Sequence, residues 1–199
     1  PSNKTSIVSR PSLPVEPQRI MSGQNHSQSK SSEREIALSR IFDAPRDLVW
    51  QLWTEAKHLK EWFGPKGLTT PVATMDFRGG GKFHSCMQTP DRGKMWGRFV
   101  YREILAPERL VWVNSFSDQH GGLARVPFSD AWPTEMLNAV TFAEAAEHTL
   151  VTITTRALNA TDEEQKTFDT NHDDMTQGWG GTFDKLAAYT SRLSAKAAS

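Results

Sequence analysis

Few residues in this chain have the types and spacing that reactions need. His84 and Cys86 stand two apart in a strand-like run, on one face but about 7 Å apart by strand rise. A nucleophilic thiol needs its base within hydrogen-bond reach, so Cys86, the only cysteine, reads as a packed thiol. Gly79-Gly80-Gly81 precedes Lys82, which invites comparison with a phosphate loop. That loop requires Ser or Thr after the lysine and a helix behind it. Phe83 and a strand pattern follow instead, so the glycines read as a hairpin turn. No Gly-x-Ser-x-Gly word is present, which leaves a serine hydrolase without support. His26, His58, His84, His120, His148 and His172 show no metal-ligand spacing. His172-Asp173-Asp174 is the densest cluster, and its side chains radiate around a helix. No metal and no cofactor are expected.

Three features keep two readings open. In 94–105, alternation puts Trp96, Arg98, Val100 and Arg102 on one face and Phe99, Tyr101, Glu103 and Leu105 on the other. With two arginines facing water, Glu103 is predicted to face inward, where a carboxylate is costly unless paired. It is then either a site residue or a strand-end partner of Arg109. His172 lies on an apolar helical stripe, as a satisfied core residue or as a polar group in a pocket. Gly178, Gly180 and Gly181 flank Trp179 in the same helix, where each glycine costs about 1 kcal/mol relative to alanine. They imply close packing, a kink or room for a ligand.

The elements that must position these groups follow from periodicity. A strand is predicted over 34–42, ending at Asp43-Ala44-Pro45, with Asp43 as the cap of a short helix. A second short helix covers 55–61 and stops at Gly64-Pro65. Strand patterns follow at 72–77, 82–88, 94–105, 109–117, 134–143 and 148–157, and the short turns make an antiparallel meander. Thr161-Asp162-Glu163-Glu164 is a capping box that opens one long helix to about Leu193. Phe168, His172, Met175, Trp179, Phe183, Leu186 and Tyr189 form its stripe. The fold class is α+β: a curved antiparallel sheet with its helices on one side and a space between them.

Charge narrows the partners. Lys plus Arg and Asp plus Glu are each 23, so the formal net charge is zero, without the basic excess of a nucleic-acid binder. Residues 1–32 hold no aromatic residue, four cations and one acid, which leaves the rest at −3. This segment reads as a disordered tail, and 33–195 as one domain. Met21 is a candidate for the natural start. A transit peptide is the alternative for the tail, although no amphipathic helix supports it. No apolar run reaches the roughly 18 residues of a membrane span, so neither nucleic-acid binding nor membrane insertion is expected.

Several words in this order resemble the START-like SRPBCC superfamily, with its helix-grip (START/Bet v-like) fold. Within it, the chain is most similar to the heat-shock-protein ATPase activator homologues, near the polyketide cyclases. The words are Phe42-Asp43-Ala44-Pro45 with Val49-Trp50, Trp62-Phe63-Gly64-Pro65 and Asp76-Phe77-Arg78-Gly79-Gly80. Tyr101-Arg102-Glu103-Ile104 with Pro107-Glu108-Arg109-Leu110, and Gly178-Trp179 before Leu186-Ala187, complete them. Phe99-Val100 stands where the family usually has a Gly-containing strand, and the loop at 118–130 is longer than usual.

The resemblance and the aromatic content imply a hydrophobic cavity for a small, largely apolar molecule. Its expected lining is Trp53, Trp62, Phe63, Phe77, Phe83, Met87, Tyr101, Trp112, Trp179 and Phe183, with Ser85, Glu103 and His172 as orienting polar groups. The alternatives are an enzyme of cyclase, aromatase or hydrolase type in the same cavity, using Glu103 or His172 for proton transfer, and a chaperone-interaction module. Binding without catalysis is preferred, in the cytoplasm. A chaperone and a second copy of the chain, as a homodimer, are the further candidate partners.

Overall fold

The computed structural model describes residues 34–89, 93–126 and 128–197; the expected tail, 1–32, lies outside them. The elements run β1 (Ile36–Phe42), α1 (Arg46–Thr54), α2 (Ala56–Trp62), β2 (Thr69–Met75), β3 (Lys82–Thr89), β4 (Gly93–Leu105), β5 (Arg109–Ser117), β6 (Glu135–Ala145), β7 (His148–Leu158), α3 (Asp162–Thr170) and α4 (His172–Ala197). All seven strands join one antiparallel sheet in the order β1-β7-β6-β5-β4-β3-β2. The long C-terminal helix lies on it, as expected for the α+β helix-grip architecture. Alternating burial along β6 and β7 gives the sheet one inner face. On that face Phe83, Tyr101, Leu110, Trp112, Val140 and Phe142 meet Phe183 and Leu186 of α4 and Val49, Leu52, Trp53 and Trp62 of the short helices.

The glycine turn before β3 has a steric cause. Gly80 has φ +76°, and a Cβ on Gly81 would collide with the Asp76 carbonyl. The Gly80 and Tyr101 amides donate to Tyr101 O (2.8 Å) and Gly81 O (3.0 Å), tying this turn to β4. Pro71, which has no amide hydrogen, sits on the edge strand β2, where the register against β3 shifts between Thr69 and Val72.

Four expectations are corrected. Asp43 does not cap α1: Pro45 is the N-cap residue and no side chain bonds there. Asp43 instead faces His148, Oδ1 to Nδ1 3.1 Å. The long helix is two helices, because Asn171 leaves the helical conformation (φ −102°, ψ 17°) and its Nδ2 donates to Thr167 O at 2.7 Å. The capping box at Thr161 and Glu164 is formed as expected. The strand expected from Val72 to Phe77 starts earlier and stops at Met75.

The fourth correction changes a face. Tyr101 pairs with Trp112, but Glu103 pairs with Val111. Two steps along β4 match one along β5, so a bulge inserts one residue. Beyond it the alternation inverts. Ile104 packs on the core while Leu105 is exposed, and Glu103 leaves the inner face to pair with Arg109, Oε1 to Nε 3.1 Å. Glu103 is therefore no cavity residue.

Candidate functional site

Side-chain size divides the inner face of the sheet. Toward the α1–α2 end its inward residues are large: Tyr101 and Phe99 on β4, Trp112 on β5 and Phe83 on β3. Toward the other end they become small or flexible: Gly97, Ser85, Met87 and Asn114. The helix above changes in parallel, from Phe183 and Leu186 to Gly178 and Met175. A cleft of about 320 Å³ opens where both surfaces thin out. This is within the usual size of small-molecule sites.

Phe63, Phe99 and Trp179 form its aromatic wall, with Phe63 at 5.2 Å from Phe99 and 6.4 Å from Trp179. Trp132, from the loop between β5 and β6, and Met175 close a second side, and Gly64, Pro65 and Met87 a third. A Cβ on Gly178 would meet nothing within 4 Å, and one on Gly97 only the Ser115 carbonyl at 3.6 Å. Both glycines therefore hold space open. The polar groups of the wall are Ser85, Asn114, Asp174 and Thr182. The Thr182 hydroxyl is used within the helix, donating to Gly178 O at 2.9 Å. The Trp132 indole N–H is buried without a hydrogen-bond partner among the described residues.

The loop beneath Trp179 is held by Lys185, whose Nζ donates to Leu68 O at 2.9 Å and contacts Phe63 O at 3.5 Å. Burial lowers the pKa of this lysine below its ordinary value. A Cβ on Gly181 would stand 3.3 Å from the Lys66 amide nitrogen, so this glycine admits the same loop against α4. All three helical glycines border a polar groove with Arg40 and Lys66; in addition Gly181 serves close approach to the loop, and Gly178 keeps space at the cleft.

A second chamber of about 500 Å³ adjoins the cleft, and Pro65 and Met87 belong to both walls. Leu68, Met95, Phe116, Arg125 and Phe128 complete much of it. The loop bearing Arg125 and Phe128 is fastened at both ends. Asp118 Oδ1 accepts from the amides of His120 (2.8 Å) and Gly122 (2.9 Å), which holds its carboxyl below the usual range. Arg125 Nη1 donates to Asp130 O at 2.7 Å and lies 3.4 Å from Glu164.

The family model described as Activator of Hsp90 ATPase homolog 1-like protein matches residues 43–191, more than half of the chain. The chain belongs to this family. A solved protein from Nitrosomonas europaea is similar at 25% identity and TM-score 0.66, over 82% of this chain and 98% of that one. Another, from Arthrobacter aurescens, is similar at 26% identity and TM-score 0.67, over 81% and 88%. An AHSA1-like protein from Aeromonas hydrophila, at 18% identity and TM-score 0.55 over 80% and 94%, shares the fold. Among curated proteins none gives a significant match.

Against this family frame, four of the expected lining residues border the cleft: Phe63, Ser85, Met87 and Trp179. Trp53, Trp62, Phe83, Tyr101, Trp112 and Phe183 are core residues, each with at most 3% of its surface exposed. Phe77 packs against Tyr101 at 5.2 Å. His172 sits edge-on to Phe168 at 5.0 Å in a smaller cluster. Its buried Nε2 has no hydrogen-bond partner among the described residues and lies 3.8 Å from Asp169. Gly97, Phe99, Asn114, Trp132, Asp174, Met175 and Thr182 were not expected in the wall. A glycine inside a strand marks close approach or space, and Asn114 shares the bulky face of β5 with Leu110 and Trp112; those signals point to two of them.

The remaining chemistry is sparse. Burial raises the Cys86 thiol, in keeping with a packed residue, and raises the Tyr101 phenol well above its ordinary value. Among the described residues no three His, Cys, Asp or Glu side chains gather as a metal site. Nor is any helix of the described residues long and apolar enough to cross a membrane.

Proposed function

We propose that this chain binds a small, largely apolar molecule in the cleft between the thin end of the sheet and the first half of α4. The observation that supports it is an aromatic and thioether wall around a space that two glycines, Gly97 and Gly178, keep clear. Ser85 and Asn114 make no side-chain hydrogen bond to another described residue and stand ready to orient a polar atom of the ligand. Asp174 is the single titratable side chain among the described residues of this wall. Acid–base turnover usually employs a positioned donor and acceptor, so binding is favoured over a cyclase-type reaction. The proposal includes a cytoplasmic location.

Titration with phenylnaphthylamine, a neutral apolar fluorophore, tests the reading. Saturable emission in the wild type and its loss in Gly178→Leu are expected; absence of saturable binding in the wild type refutes it. The family's description favours a second reading, a chaperone-interaction module. Retention of a purified Hsp90-type chaperone on the immobilised chain would support that reading in place of the first. Sedimentation of the purified chain tests the homodimer.

A further inference from the structure

Resting on the ligand-binding reading above, we propose that the ligand is an amphipathic organic anion lying through both chambers. Its apolar body occupies the inner cleft, and its acid group sits in the outer chamber beside Arg125 and Lys94. The two spaces share the walls of Pro65 and Met87. Met87 is unbranched and adapts readily to what passes it. It leans on the bare backbone of Gly64, where a Cβ would stand 3.1 Å from its sulfur.

Charge sets the direction. Among the described lining residues, the outer chamber carries Arg125 and Lys94 and no carboxylate, whereas the inner cleft carries Asp174 and no cation. An acid group is therefore repelled from one end and attracted to the other. Arg125 is half-exposed, and its described contacts, to Asp130 O and Glu164, both use Nη1. Nε and Nη2 retain donors for a bidentate acid group. Glu164 offsets part of this charge, but its other oxygen accepts from the Thr161 amide at 3.0 Å and fixes it in the helix cap. Lys94 leaves β4 on the face of Cys86 and Trp96, opposite Met95, and borders the chamber at the strand's free edge, where β5 has ended at Ser117 opposite Trp96. From Gly93 to Met95, β4 has only β3 beside it, and its free edge borders the space. The polar groove that adjoins the cleft at Pro65, Asp174 and Gly178 balances Arg40 and Lys66 against Asp174 and Asp184, with Arg40 bound to Asp184 at 2.7 Å, so it offers no net attraction.

Two fluorophores that share one apolar body make the test: anilinonaphthalenesulfonate, an anion, and phenylnaphthylamine, its neutral counterpart. Each is titrated into the full chain and its Lys94→Gln, Arg125→Gln, doubly substituted and Lys66→Gln variants. In the double variant, sulfonate affinity is expected to fall roughly tenfold while amine affinity stays within about twofold, as for loss of charge-assisted contacts at a partly exposed site. Lys66→Gln should change neither. Because Arg125 also holds its own loop, Lys94→Gln alone, expected to weaken the sulfonate about threefold, decides the matter if Arg125→Gln lowers the melting temperature. Equal weakening of both probes, no weakening of either, or weakening of the sulfonate by Lys66→Gln alone would overturn the assignment. If the amine binds the wild type, the cleft reading survives such a result; if neither probe binds, both readings fall.

Discussion

Gly178 offers a substitution that separates binding from folding. A mid-helix glycine lowers stability by about 0.5–1 kcal/mol relative to alanine, because it loses more backbone freedom on folding. At Gly178 the added Cβ meets nothing within 4 Å, so alanine gains this propensity without strain. Gly178→Ala should therefore stabilise the protein by about 0.4–1 kcal/mol, which for a chain of this size raises Tm by about 1–4 °C. Gly178→Leu adds apolar contacts with the cleft wall, and its Tm should also equal or exceed that of the wild type. The leucine side chain occupies the space beside Trp179, so affinity for phenylnaphthylamine should fall at least about tenfold, or ~1.4 kcal/mol.

Gly181 is the control on the same helix. Its Cβ would stand 3.3 and 3.4 Å from the Lys66 amide nitrogen and Cβ. The propensity gain is then spent on moving that loop, and Gly181→Ala should melt at or below the wild-type temperature. Thermal unfolding by circular dichroism and a fluorescence titration read both quantities. A stabilised Gly178→Leu that still binds would remove the cleft as the ligand site. A destabilised Gly178→Ala would show that the position is packed and refute the reasoning about space.

Glu103→Gln should change stability by no more than about ±0.5 kcal/mol and leave probe affinity unaltered, since its pair with Arg109 is half-exposed; a loss of binding would return Glu103 to the cavity. Ala146 adopts φ +58° in the β6–β7 turn, and Ala146→Gly should raise stability by about 0.5–1 kcal/mol in urea unfolding, whereas an unchanged midpoint would deny that this backbone is strained. His58 donates to or accepts from the Tyr189 hydroxyl at 2.8 Å, and burial lowers its pKa below the ordinary 6.5. The unfolded chain then binds the proton more readily, so stability is full above pH 6.5 and falls as pH drops toward the folded value. His58→Gln should flatten this part of the urea-midpoint profile between about pH 7 and 5, and an unaltered slope would show that the loss belongs to other groups.

The β2–β7 meander, the glycine hairpin and the α3 cap were legible because each rests on local pattern: alternation, φ > 0 turns, and a Thr and Glu three residues apart. What failed was non-local or one residue wide. The helix break at Asn171 escapes periodicity because Phe168, His172 and Met175 keep helical spacing across it. The β4 bulge lies between Tyr101 and Glu103, two residues that alternation assigns to one face. A single inserted residue sends the second outward, and nothing in the spacing of Arg98 and Arg102 signals it. Both arginines are compatible with the outer face whether or not the bulge is present. Aromatic content likewise fails to separate wall from core: Trp179 on α4 and Trp112 on β5 look alike in sequence, and only what each faces across the sheet–helix space decides which borders a void.

That void follows from a gradient that one strand displays on its own. Inward from the bulge, β4 presents Tyr101, Phe99, Gly97 and Met95 in turn, and α4 answers with Leu186, Phe183, Trp179 and Met175. The first layer is filled: Phe99 stands 5.1 Å from both Phe83 and Trp112 within the sheet, and Phe183 of α4 packs 5.5 Å from Phe42 of β1 and 6.4 Å from Trp53 of α1. Burial of such side chains supplies about 1.5–3 kcal/mol each and anchors the helix on the sheet. At Gly97 the strand offers no side chain, and Gly178 offers none above, so the two surfaces separate there. The same strand and helix therefore contribute stability at one end and capacity at the other. A residue in the filled half, such as Trp112 or Phe83, cannot be altered without loosening both functions. Gly97, Met87 and Gly178 lie past the last interlocked layer, and substitutions there act on the shape of the bound molecule while the anchoring layer stays intact.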